Sequence, residues 1–402
     1  MEKGKKRYIG LDIHKAYFVA VGVDEQREVV FRSGKVSVYQ LERWAKKNLA
    51  PGDAIVLEMS TNSYLFYDVL QPYVQSVTVV HPPYVKLVTK AAVKTDQKAA
   101  QTLAELHAVG LLAGIWVPPQ KVRDLRALVA QREKMVRLST IAKNRLHAML
   151  QRNHLRLPEK PFREEQRSWW EGLPLSKIEL LRVRSDLDTL AFARQQREQI
   201  EAHLKMESGQ DERIPLLIQL PGVAWLTAIT ILAAIGDITR FEHAKKLVGY
   251  AGLGSRVHIS GKTYTTGRIT KAGRRDLRRA MVNAANHAVE YHPFWKKELA
   301  RLQPRLGRSK AVVAVARKLL VAVWHVLTKD QADRFAEAKD VAHALLAHAY
   351  KIQVKNLPLQ QSAPAFVRQQ LDRLKIGQDL KTVYWGSEQR KLPPAQFHCS
   401  KD

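Results

Sequence analysis

The chain has 402 residues, with 66 Lys and Arg against 38 Asp and Glu, a formal net charge of +28. That length suggests two or three domains, and that charge favours a polyanionic partner, DNA or RNA. One cysteine, Cys399, excludes internal disulfides and cysteine-rich zinc sites; no apolar run reaches the roughly 18 residues of a membrane span and the start MEKGKKRYIG has no signal-peptide core, so a cytoplasmic nucleic-acid-handling protein is expected, with no membrane partner.

YIGLDI (8–13) reads as a buried strand carrying Asp12, AYFVAVGV (16–23) as a second strand, and EVVFRSGKV (28–36) as a third, together a meander. A helix is expected over 37–49, broken by Pro51-Gly52, then a short apolar strand over 54–60 with Glu58. A helix over 64–70, a strand over 77–82 and a helix over 95–112 follow, so part of this sheet is expected to be parallel.

Acids are disfavoured in strands, and burying one unpaired is costly. Asp12 lies among Ile9, Leu11 and Ile13, and Glu58 among Ile55, Val56, Leu57 and Met59. Taken singly, Asp12 reads as one half of a salt bridge to a lysine, and Asp96 as a helix N-cap. Together the three can converge on a divalent cation, and oxygen ligands suit Mg²⁺ or Mn²⁺.

The meander with Asp12 on its first strand, followed by a helix and a parallel strand bearing Glu58, resembles the RNase H/RuvC-like fold. KTDQKAAQTLAEL (94–106) resembles the KTD-x-x-DA-x-x-LA motif of the DEDD insertion-sequence transposases, the family numbered one hundred and ten, which includes the Piv-type DNA invertases. The resemblance implies that Asp12, Glu58 and Asp96 take the first three acidic positions. The fourth, three residues after Asp96, is Ala99 here. Two alternatives follow: a site that works with three acids, or one disabled at the fourth position.

Beyond Trp116-Val117-Pro118-Pro119, helical runs over about 120–154 and 175–206 carry apolar stripes (Leu125, Val129; Leu181, Leu190) and a basic outer surface. They read as an antiparallel hairpin or coiled-coil arm for dimerisation. In 214–236, Pro221-Gly222-Val223 between helical segments looks like a helix-hairpin-helix turn, whose amides can meet a phosphate. GYAGLGSRVHISGKTYTTGRITKAG (249–273) reads as a polar, glycine-punctuated loop ahead of a basic helix over 273–290, and 309–328 as a very apolar helix.

The string from LPGV to AVVAVARKLLVAVWHVL, through about Leu327, resembles the C-terminal transposase domain of the same family. By that resemblance Ser260 takes the nucleophilic serine position, with Ser255 the alternative register, and Lys271, Gly273 and Arg278 match its basic loop-to-helix segment. Lys262, Arg268, Lys271, Arg274, Arg275, Arg278 and Arg279 are the expected nucleic-acid contacts, since guanidinium groups suit bidentate phosphate binding.

The expected architecture is a multidomain α/β plus α protein: a RuvC-like domain (1–119), coiled-coil helices (120–206), a mainly α serine transposase domain (207–329) and a C-terminal extension (330–402) to which no chemistry is assigned; His398-Cys399 is too little for a metal site. What the resemblance implies is a recombinase that uses Mg²⁺ or Mn²⁺, forms a phosphoserine to donor and target DNA, follows a structured guide RNA and works as a dimer to tetramer with a composite site. Three alternatives stay open: an invertase that needs no RNA, a RuvC-like metal-dependent nuclease, and a catalytically silent binder.

Overall fold

A computed structural model describes residues 6–82, 95–260 and 263–395. The chain divides into two compact units, Met1–Pro119 and Gln120–Asp402. In the first, β1 (Tyr8–Ile13), β2 (Tyr17–Val23), β3 (Val29–Arg32) and the short β4 (Val36–Ser37) precede α1 (Leu41–Asn48), β5 (Ala54–Glu58), α2 (Ser63–Leu70), β6 (Ser76–Val80) and α3 (Asp96–Ala108). The sheet order is β3-β2-β1-β5-β6, with β4 also on β2. β1, β2 and β3 are antiparallel; β1, β5 and β6 are parallel. This sheet order is consistent with the RNase H-like fold that the sequence resemblance implies.

Alternation sorts the two faces. Ile9, Leu11, Phe18, Ile55 and Leu57 pack on Trp44 and Ala45 of α1 and on Phe66 and Leu70 of α2. On the other face Val19 and Val21 meet Ala100, and Val56 and Val80 meet Leu103, all against α3. Gly10 permits that second contact. A Cβ there would lie 2.0 Å from the Ala100 carbonyl oxygen, so only glycine lets α3 press onto β1.

The second unit opens with α4 (Gln120–Arg152), α5 (Arg167–Glu171) and α6 (Lys177–Gln210). α4 and α6 form an antiparallel hairpin, tied by Arg132–Glu201 (2.7 Å), Arg145–Asp186 (3.3 Å) and Arg152–Glu179 (3.5 Å). Trp170 of α5 fills its far end, its indole N–H donating to the Pro161 carbonyl. α7 (Arg213–Ile218) and α8 (Trp225–Ile235) flank the Pro221-Gly222 turn, and α9 (Ala244–Tyr250) follows. Gly222, at φ +78°, rests so close to the Ala284 carbonyl that no side chain fits.

Then come β7 (Ser255–Ser260), β8 (Thr263–Ile269), α10 (Arg275–Tyr291), α11 (Pro293–Leu306), α12 (Arg308–Lys329), α13 (Ala338–Ile352), α14 (Ala363–Arg373), β9 (Thr382–Trp385) and β10 (Glu388–Lys391). By length and apolarity α12 is the one helix among the described residues that passes as a membrane span, which the sequence reading did not credit. Its Ala311, Val315, Ala316, Leu319, Leu320 and Val323 are instead buried in the largest core of this unit. Trp324 belongs to that packing too, donating to the Phe241 carbonyl at 2.9 Å.

Candidate active site

The register of β1 and β5 places Leu11 beside Leu57. Asp12 and Glu58 come next, so both acids leave the sheet side by side at its carboxyl edge, on the face that α3 covers. α3 brings the third acid. Thr95, rather than Asp96, is its N-cap, accepting from the Lys98 N–H at 3.3 Å. Asp96 stands in the first turn, where the helix dipole favours negative charge and its carboxylate is left for other partners.

The tightest group of ligand atoms among the described residues, all within 4.8 Å of one another, comprises Asp12, His14 and Asp96. His14 Nε2 lies 3.3 Å from Asp12 Oδ2 and 3.4 Å from Asp96 Oδ1. Glu58 stands next to Asp12 in register but outside this group. The expected lysine partner of Asp12 is replaced by an imidazole.

His14 was not singled out in the sequence. Its signal was the Asp12-x-His14 spacing at the end of an apolar strand, close enough in sequence to share one site. It faces Tyr17 across the β1–β2 turn, where the His14 N–H donates to the Tyr17 carbonyl at 2.9 Å. The two rings stack at 4.6 Å and 26°, and the Tyr17 hydroxyl donates to Asp96 Oδ2 at 3.0 Å.

Burial pushes the Asp12 carboxyl above the usual carboxylate range; His14 works against that shift, and the like charge of Asp96 adds to it. His14 Nε2 is shielded from solvent and lies within ion-pair distance of both acids. Two carboxylates and an imidazole nitrogen, all within 4.8 Å of one another, fit a divalent cation. Ala99, one turn along α3 from Asp96, is exposed and offers no ligand atom.

The stretch read as a loop around Ser260 is an antiparallel hairpin instead. Ser255 pairs with Ile269 and Ser260 with Thr263, with a register shift between Ser255 and Val257. SRVHIS and TYTTGRI alternate and are rich in β-branched residues, which favours a pleated ribbon over an irregular loop. Ser260 ends β7 at the turn and Ser255 begins it, about 17 Å apart at the usual rise per residue. Lys262 lies outside the described residues, as do His398 and Cys399.

The base of the hairpin is locked to α10 by two glycines. At Gly252 (φ +66°) a Cβ would crowd the Arg278 guanidinium, and at Gly273 (φ +139°) it would meet the Tyr250 carbonyl at 2.3 Å. Around this base the arginines divide. Arg274 pairs with Asp276 of the same turn. Arg278 donates to the carbonyls of Ala251 (3.0 Å) and Lys271 (3.2 Å). Arg279 pairs with Glu133 of α4 and holds that carboxyl below its usual range. Arg268, Lys271 and Arg275 are exposed.

Two family models match the chain. Residues 9–155, which carry the acidic edge, match a DEDD-type model described as "Transposase". Residues 214–300, which carry the hairpin and α10, match "Transposase IS116/IS110/IS902 family". The chain is 25% identical over 344 residues to the transposase for insertion sequence element IS1111A of Coxiella burnetii, spanning 82% of this chain and 91% of that one. It is 26% identical over 341 residues to the pilin gene-inverting protein of Moraxella bovis, spanning 81% and 97%. A probable family 20 transposase of Pseudomonas aeruginosa is 25% identical over 343 residues, spanning 80% and 97%. With an acidic, helix-covered sheet edge inside one match and a serine-bearing hairpin inside the other, the chain belongs to the IS110/IS1111-type insertion-sequence transposases.

Proposed function

We propose that this chain moves its own genetic element by cutting and rejoining DNA through a phosphoserine at Ser260, with Asp12, Glu58 and Asp96 holding Mg²⁺ or Mn²⁺. The observation that carries this reading is the convergence of Asp12, His14 and Asp96, whose ligand atoms all lie within 4.8 Å of one another.

In cleavage, the Ser260 hydroxyl gives up its proton as its oxygen bonds to phosphorus, the bond from phosphorus to a deoxyribose oxygen breaks, and that oxygen takes up a proton and leaves as a hydroxyl. Rejoining reverses this: the hydroxyl of another strand attacks the phosphoserine and Ser260 departs. A bound divalent cation supplies charge stabilisation at the phosphate oxygens. The acids orient it, and Tyr17 fixes Asp96 by its hydrogen bond. Arg268, Lys271 and Arg275, exposed beside the hairpin, contact DNA phosphates.

The +28 charge suits both donor and target DNA together with a structured guide RNA. Exposed Ile178 and Leu181 on the arm support a homo-oligomer, up to a tetramer in which one subunit's acids serve another's serine. The reaction takes place in the bacterial cytoplasm.

Purified protein with guide RNA, paired DNA and Mg²⁺ is expected to yield a covalent protein–DNA adduct that vanishes with Ser260→Ala. An adduct unchanged by that substitution rejects the serine mechanism. The similarity to a pilin gene-inverting protein favours a second reading, inversion without RNA. Recombination that survives RNase treatment would select it.

A further inference from the structure

The fourth acidic position of the motif is Ala99, yet the acidic edge is not short of a ligand. We propose that His14 supplies the metal ligand that Ala99 cannot, and that its imidazole makes this site prefer Mn²⁺ to Mg²⁺. The proposal rests on the reading of the acidic edge as a metal site.

Position comes first. His14 follows the end of β1, two residues after Asp12, and its Nε2 reaches 3.3 Å from Asp12 Oδ2 and 3.4 Å from Asp96 Oδ1. Ala99 sits on the exposed side of α3. The depth of α3 is fixed by the contact of Gly10 with the Ala100 carbonyl, so the spacing between Asp96 and the end of β1 is set by backbone packing.

Orientation comes second. His14 Nε2 is shielded from solvent and nearly equidistant from the two acids, at 3.3 Å from Asp12 Oδ2 and 3.4 Å from Asp96 Oδ1, so it is directed between them rather than at one alone. That is the placement of a ligand atom aimed between two carboxylates. The ring is held by its stack on Tyr17, and the Tyr17 hydroxyl in turn fixes Asp96, so one side chain orients two ligands.

Chemistry decides the ion. Mg²⁺ prefers an all-oxygen octahedron and gives up water reluctantly. Mn²⁺ accepts nitrogen more readily and stands in the series in which affinity for N-containing sites rises across the first row. Exchanging a carboxylate for an imidazole therefore removes one negative charge, which weakens both ions, and replaces an oxygen by a nitrogen, which costs Mg²⁺ more than Mn²⁺.

The test is Mn²⁺ binding to the full-length protein without DNA, followed by electron paramagnetic resonance, with Mg²⁺ measured by competition. Wild-type protein should show nitrogen coupling to bound Mn²⁺ that changes on ¹⁵N-histidine labelling. His14→Ala should lose that coupling and weaken Mn²⁺ binding roughly tenfold or more, with a smaller change for Mg²⁺. His14→Asp should bind both ions with the preference for Mn²⁺ reduced, and Ala99→Asp placed on His14→Ala should recover Mg²⁺ binding. If bound Mn²⁺ shows no nitrogen coupling and His14→Ala binds both ions as wild type does, His14 is not a ligand and only this proposal falls. If the wild-type protein binds neither ion, while Ser260-dependent adducts still form, the metal reading of the acidic edge falls with it.

Discussion

The acidic edge of the first unit and the arginine-rich start of α10 in the second settle their charges in opposite ways. At the acidic edge, Asp12 and Asp96 approach each other with the half-buried His14 imidazole between them and the Tyr17 hydroxyl on Asp96, and burial raises the Asp12 carboxyl. At the start of α10, Arg274, Arg278 and Arg279 are already engaged by Asp276, by two backbone carbonyls and by Glu133. The first region gathers its acids around one imidazole, an arrangement that a bound cation would stabilise. The second uses most of its charge to build the platform from which the serine hairpin projects. A cluster of like residues in sequence therefore says little about a site until its internal partners are known.

This contrast can be broken experimentally, beginning with the largest effect. Asp12→Asn removes ligand charge where nothing replaces it, and adduct formation should fall on the order of a thousandfold or more; a rate within a few fold of wild type would show that the edge is scaffold. Gly10→Ala tests whether backbone packing sets the edge. With 2.0 Å to the Ala100 carbonyl, α3 must shift, so the first unit should lose about 3 kcal/mol or more in denaturant unfolding.

Buried His348 on α13 is a single-residue version of the same electrostatics. Burial lowers its pKa to about 4. The neutral form is favoured in the folded chain, so the stabilisation is complete above the unfolded pKa of about 6.5 and is lost as pH falls from there through about 4, on the order of 3 kcal/mol in all. His348→Gln should flatten that acid limb in thermal unfolding measured across this range.

The smallest and most discriminating pair lies at α10. Arg275→Ala should weaken DNA binding and reduce the salt-dependence slope by about 1, leaving stability unchanged. Arg278→Ala should cost roughly 1–2 kcal/mol of stability, through the two carbonyls it releases, with the salt slope unchanged. Reversed outcomes would mean that Arg278 faces the nucleic acid and Arg275 does not.

The strand acids were legible in the sequence because an acid inside an apolar strand needs a reason, and Asp96 because its motif names a helix start. The antiparallel meander and the partly parallel continuation of the first sheet were legible from apolar runs and the helices between them, whereas the strand order is set by pairing. His14 was overlooked because its neighbour Asp96 is 82 residues away, brought in by the packing of α3 on Gly10 rather than by any local pattern. The hairpin was read as a loop because its glycines and threonines outweighed the alternation of Val257, Ile259 and Tyr264 with their neighbours. The arginines looked equivalent because Glu133 and the Ala251 carbonyl enter only when α4 and α9 fold against α10.

The central claim is that a serine of this chain becomes joined to DNA, and the direct measurement is to find which one. Adducts trapped with Mg²⁺, digested with nuclease and protease and read by mass spectrometry should carry a nucleotide on Ser260, at the turn end of β7. A nucleotide on Ser255 would move the chemistry to the base of the hairpin, and cleaved DNA with no modified serine would contradict the account and leave a metal-dependent nuclease in its place.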